Sequence, residues 1–217
     1  MNPKYNADFI EGDIYHIYNR TNNKELLFRS DQNRVFFLNQ YAKYLNPFMD
    51  TFCWCLLPNH FHFLTRIKSS EEIKVYLNER SENLKKFEIE YLENKATADM
   101  LIECEWKRFF TSYSMAFNKE HSRKGNLFHR PFKRIAVEKE DYFTQAVIYI
   151  HANPQHHNLC SDFTTYKWSS WKTLTSDQPT RLKRDEVLDW FGGLEKFIET
   201  STSLAEYYYQ SDTSIED

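Results

Sequence analysis

The chain has 217 residues, 41% hydrophobic and 17% aromatic, which suits one domain with an appendage and argues against disorder. Only four glycines, and four cysteines with no Cys-x-x-Cys pair, argue against a glycine-rich phosphate loop and a structural zinc site. The net charge of −3 is segregated: residues 107–134 hold eight bases against Glu120 alone, a local net of +7, while 185–217 hold nine acids and one base. No apolar run reaches the length of a membrane span. Scattered cysteines without a leader peptide point to a soluble, cytoplasmic chain with reduced thiols.

Residues 13–20 are β-prone and alternate, which predicts a first strand, with a polar loop at 21–24. Asp31 is placed to cap a helix to about Tyr44, with Val35, Phe36, Leu38, Tyr41 and Leu45 as its apolar stripe and Pro47 as its stop. Two apolar runs, 52–57 and 60–67, flank Pro58-Asn59 and predict an antiparallel hairpin beside the first strand. Successive strand residues point to opposite faces, so His60 and His62 share one face and Phe61 and Phe63 the other. One face can bind and the other can pack.

Ser69-Ser70-Glu71-Glu72 marks a helix start. Ile73, Leu77, Leu84, Phe87 and Tyr91 keep helical spacing beyond it, which predicts one long, exposed, amphipathic helix. A further helix over about 99–121 carries Trp106, Phe110, Tyr113 and Phe117 along one stripe, for packing or DNA contact. Lys124-Gly125 then turns the chain into a basic strand over 127–137. Residues 140–153 read as a helix ended by Pro154, with Phe143, Val147 and Ile150 buried and with Tyr149 and Asn153 as neighbours on a flank. Residues 166–171 form a loop that packs its tryptophans inward. Residues 185–198 give one or two short helices broken at Gly192-Gly193, before an acidic, frayed tail after Thr200.

Two imidazoles on one strand face can hold a metal ion. A third ligand and a nucleophile brought near by the fold would complete an active site. The local positive charge makes Lys107, Arg108, Arg123, Lys124, Arg130, Lys133 and Arg134 the candidate phosphate contacts.

Five short stretches carry a family likeness: Tyr15-His16-Ile17-Tyr18-Asn19-Arg20, Leu57-Pro58-Asn59-His60-Phe61-His62, Gly125-Asn126-Leu127-Phe128, Tyr149-Ile150-His151-Ala152-Asn153-Pro154 and Trp168-Ser169-Ser170. In order and spacing they resemble the HUH single-tyrosine transposases, in the branch related to the REP-associated tyrosine transposases, over about residues 12–200. The resemblance implies an α+β, ferredoxin-like antiparallel sheet with helices packed mainly on one face. It also implies a catalytic domain at 1–175, containing an acidic helical insertion at 71–98, and a small helical C-terminal extension at 176–217.

Carried over residue by residue, the resemblance makes His60 and His62 the metal pair, Tyr149 the nucleophile and Asn153 the third ligand, with His151 ranked second. It implies metal-dependent cleavage and strand transfer of single-stranded DNA near hairpins or palindromic repeats, through a 5′-phosphotyrosine. A phenol is a weak nucleophile near neutral pH, and a metal that withdraws charge from the phosphate makes its attack feasible. Imidazoles alone favour zinc; an open shell with a carboxamide and phosphate oxygens, together with the family, favours Mg2+ or Mn2+. Monomer and homodimer both stay open. The competing expectations are a non-catalytic single-strand binder of the same descent, using charge and stacking on Phe128 and Phe132, and an RNA-binding sheet module. Histidines where that module stacks aromatics disfavour the second.

Overall fold

The structure, a computed structural model, describes residues 5–138 and 140–211. Four antiparallel strands pair in the order β2-β3-β1-β4, where β1 is Ile14–Arg20, β2 Met49–Leu56, β3 His60–Ile67 and β4 Lys133–Ala136. The helices are α1 (Asp31–Tyr44), α2 (Ser70–Glu79), α3 (Lys86–Leu92), α4 (Ala98–Glu120), α5 (Glu140–His156), α6 (Trp171–Leu174), α7 (Arg184–Phe191) and α8 (Leu194–Ser211). This is the expected α+β class and the ferredoxin-like strand order.

The helices divide between both sheet faces instead of gathering mainly on one. Phe61 and Phe63 of β3 and Tyr15 and Ile17 of β1 share a core with Phe37 and Tyr41 of α1 and Trp106 and Phe109 of α4. Leu64 of β3, Cys55 of β2 and Ile135 of β4 share a second core with Phe143, Val147 and Ile150 of α5, Trp171 of α6, Val187 of α7 and Phe197 of α8. The C-terminal helices therefore help to bury α5. Deleting one large side chain, such as Phe63 at 0% exposure, would cost roughly 3–5 kcal/mol.

Several local expectations need correction. Ser30, not Asp31, caps α1, its Oγ accepting from the Asn33 N–H at 3.1 Å. The buried line of α1 runs through Phe37, Tyr41 and Leu45 at i, i+4 spacing, and Val35 faces outward. The single long helix expected after Ser69 is two, α2 and α3, separated by a short tight turn at Ser81–Asn83. On α4 the fully buried ring beside Trp106 is Phe109, so the stripe packs. The expected strand over 127–137 is reduced to Lys133–Ala136, because Pro131 has no N–H to give a ladder. Pro154 lies inside α5 and does not end it. Beyond Thr200 the chain stays helical to Ser211, with Ser201 and Ala205 buried and the Ala205 carbonyl 3.0 Å from His156 Nε2. The rest of the expected frayed tail, 212–217, lies outside the described residues. No helix among those residues is long and apolar enough to cross a membrane.

Between α3 and α4 the fold buries two acids. Glu88 and Glu105 are at 0% and 1% exposure, and Arg108 lies 2.6 Å from Glu105 and 3.8 Å from Glu88. Burial pushes the Glu105 carboxyl up to about 7; the neighbouring Glu88 adds to this and Arg108 opposes it. The folded state therefore holds this proton more tightly than the unfolded state does. Stability linked to Glu105 is full below about pH 4.5 and declines as pH rises through about 7, by at most on the order of 3 kcal/mol. Urea unfolding at pH 5 and pH 8 should show a smaller loss of stability for Glu105→Gln than for the parent. Equal losses in both would contradict the assignment.

Candidate active site on the histidine face

The hairpin turn sets the site. Pro58 and Asn59 separate β2 from β3, so His60 is the first residue of β3 and His62 follows on the same face. His60 lies at the rim, half-buried, and His62 is fully buried. Above them runs α5, which presents Tyr149 and Asn153 one turn apart. The Tyr149 ring meets the His62 ring edge-on at 5.8 Å between centroids. Asn153 Oδ1 is 3.3 Å from His60 Nε2. His60, His62, Tyr149 and Asn153 are thus one cluster, although 60 and 153 are far apart in the chain.

The hydrogen bonds carry more than proximity. His60 Nδ1–H donates to Asn59 Oδ1 at 2.7 Å, since an amide oxygen can only accept. In the neutral ring this leaves Nε2 with a lone pair, and Nε2 faces the Asn153 oxygen, another acceptor. With the amide oxygen turned to Nε2, a proton on the ring or a metal ion fits between the two; with the amide turned over, its Nδ2–H donates to Nε2 instead. In the first orientation the donors of His60, His62 and Asn153 fit an ion held by neutral groups, which leave it its full charge. Among the described residues there is no cluster of three His, Cys, Asp or Glu that could hold a metal.

A cleft of about 580 Å³ opens over this cluster, lined by His60, His62, Tyr18, Asn19, Arg20, Asn59, His129, Arg130, Lys133 and His157, among others. Its lining holds three cations and no carboxylate. The His129 pKa is pushed down, first by burial and then by Arg20, with Lys133 adding to it. The cleft is therefore positively charged. Tyr149 is only 3% exposed and does not line it.

The seven basic residues singled out by charge are not brought together. Arg130 and Lys133 line the cleft. Arg123 and Lys124 line a separate, open hollow with Arg29, where Arg123 is held by Glu25 at 2.7 Å. Lys107 pairs with Glu103 and Arg108 with Glu105, both on α4. Arg134 is 2% exposed, ion-paired with Asp99 and Glu103 and stacked on the Phe9 ring. As placed, it joins α4 to the sheet and presents no charge at the surface.

His151 does not reach the site. It is fully buried, its Nδ1 2.9 Å from the Val147 carbonyl and its Nε2 2.8 Å from Ser170 Oγ, and burial pushes its pKa down to about 4. It ties α5 to the segment that runs along β2, where Ser170 also bonds to the Trp54 backbone. Residues 168–170 therefore have a structural task, docking on the sheet edge. Sequence reasoning gave no role to His16, Asn59, His129 or His157. The His157 ring packs on His60 at 5.0 Å. Asn59 had a visible signal, a carboxamide directly before the first histidine of the pair.

No protein-family description and no curated protein matches the chain. A solved structure does: a REP-associated tyrosine transposase bound to a REP hairpin, with a TM-score of 0.56 and 14% identity over 81% of this chain and 87% of that one. The chain shares the fold of that transposase. At 14% identity the likeness extends to the fold and no further. The shared fold spans most of both chains.

Proposed function

We propose that the chain cleaves and rejoins single-stranded DNA near hairpins, with Tyr149 as nucleophile and with His60, His62 and Asn153 holding Mg2+ or Mn2+. The observation that carries this reading is the approach of His60 Nε2 on β3 to Asn153 Oδ1 on α5, one helical turn from a tyrosine whose ring meets that of His62. The hairpin bound by the structurally similar transposase supports the substrate class. The cationic lining of the cleft suits a phosphodiester.

In this reading a divalent ion supplies charge withdrawal at the non-bridging phosphate oxygens. Arg130 and Lys133 hold the flanking phosphates. The Tyr149 oxygen bonds to phosphorus, and the phosphorus–O3′ bond breaks. The phenol proton is lost and the departing O3′ takes one up. The product is a 5′-phosphotyrosine with a free 3′ hydroxyl, and reversing the step with another 3′ end transfers the strand. The buried Tyr149 must become accessible for this, through movement of α5 or of the cleft rim.

That burial also favours a second reading, a single-strand binder that uses the cleft without turnover. End-labelled, hairpin-bearing single strands separate the two. Cleavage with Mn2+ supports the enzyme, and tight binding with intact strands supports the binder. In either case the cleft cations should set the salt dependence. Arg130→Ala with Lys133→Ala should flatten the slope of log affinity against log salt by roughly one to two units, about 0.7 per lost contact. Lys107→Ala, off the cleft, should leave the slope unchanged. An unchanged slope in the double variant would remove the phosphate path from the cleft.

A further inference from the structure

His16 is a buried polar side chain of β1 to which the proposed chemistry gives no part. It is 1% exposed, and its Nε2 lies 2.9 Å from Nδ1 of His62, itself at 0%. The register explains the meeting: His16 pairs with Leu64 and Tyr18 with His62, so His16 and His62 are diagonal neighbours on one sheet face. The His16 ring also lies against Tyr18, 5.1 Å between centroids, and meets the Tyr149 ring edge-on at 5.9 Å.

We infer that His16 is the positioning residue of His62: its Nε2 accepts the Nδ1–H of His62, which keeps the lone pair of His62 on Nε2. A histidine whose Nδ1 donates its proton has only Nε2 to offer a metal. His16 thus does for His62 what Asn59 does for His60, whose Nδ1–H donates to a carboxamide oxygen. Both partners are neutral, so neither offsets the charge of a bound cation as a carboxylate would. The opposite polarity, with His16 donating, would place the His62 proton on Nε2 and close it to a ligand. The choice of polarity rests on the proposed metal site, and the tautomer measurement reads it independently of any metal.

Two-bond 1H–15N correlation spectra of the full-length protein, labelled at histidine and free of metal, read the tautomer directly, with His62→Gln to assign the signals. The parent should show His62 with a protonated Nδ1 and an unprotonated Nε2. His16→Phe keeps the ring stack and removes the acceptor, and should turn His62 into a mixture of tautomers. His16→Gln, whose amide oxygen reaches the same place, should restore the single form. Mn2+ titration should follow, with about a 10–100-fold loss of affinity in His16→Phe and recovery in His16→Gln. A parent His62 protonated at Nε2, or a tautomer indifferent to His16→Phe, would overturn the inference even if that variant folds poorly. A parent with the expected tautomer but no Mn2+ affinity would sink the metal site and leave the positioning role intact.

Discussion

Tyr149→Phe should abolish covalent capture of a hairpin-bearing single strand while leaving its binding intact. The substitution keeps the ring that meets His62 and His16, at 5.8 and 5.9 Å between centroids, and its packing. It removes only the atom that can bond to phosphorus. A merely structural Tyr149 would lose at most a hydrogen bond, on the order of 1 kcal/mol, and any cleavage would persist. A denaturing gel with labelled strands and Mn2+ distinguishes the two. Equal adduct in parent and variant would move the nucleophile elsewhere, with Tyr142, at the edge of the second core, the first suspect.

Exhaustive chelation should stop cleavage, and Mg2+ or Mn2+ should restore it where Zn2+ does not. Two imidazoles alone would favour zinc. In the proposed site the third donor would be the Asn153 amide oxygen and an incoming phosphodiester would add further oxygens, which would shift the preference toward a harder ion. His60→Ala and Asn153→Ala each remove one of the two facing side chains and should each abolish metal-dependent cleavage. Because His60 sits at the rim and is half-buried, its loss should cost little stability compared with a core deletion. Activity that survives chelation, or that only zinc restores, contradicts the assignment.

The parts of the site that were legible in the sequence are those set by local periodicity. Strict alternation in β3 placed His60 and His62 against Phe61 and Phe63, and the i, i+4 spacing on α5 paired Tyr149 with Asn153. What was not legible depends on distant partners. The His16–His62 contact spans 46 positions and follows from strand register, which no local pattern encodes. The +7 segment misled for a similar reason: Arg134 is neutralised by Asp99 and Glu103, and Arg123 by Glu25, acids that lie outside the segment. On α1, Phe36 and Phe37 are consecutive, and a shift of one residue decides which faces the core. The stretch of α8 beyond Thr200 holds a single acid, Glu206, the other acids of the tail lying past Ser211, and it buries Ser201 and Ala205. Tertiary burial there outweighs composition.

Peptide mapping of the covalent complex tests the central claim most directly. The full-length protein is incubated with Mn2+ and a hairpin-bearing single strand, then digested with protease and nuclease, and the modified peptide is sequenced by mass spectrometry. A nucleotide joined through its 5′ phosphate to Tyr149, with a free 3′ hydroxyl on the released fragment, is the predicted result. Attachment through a 3′ phosphate, attachment to another residue, or tight binding with no adduct at all would contradict it.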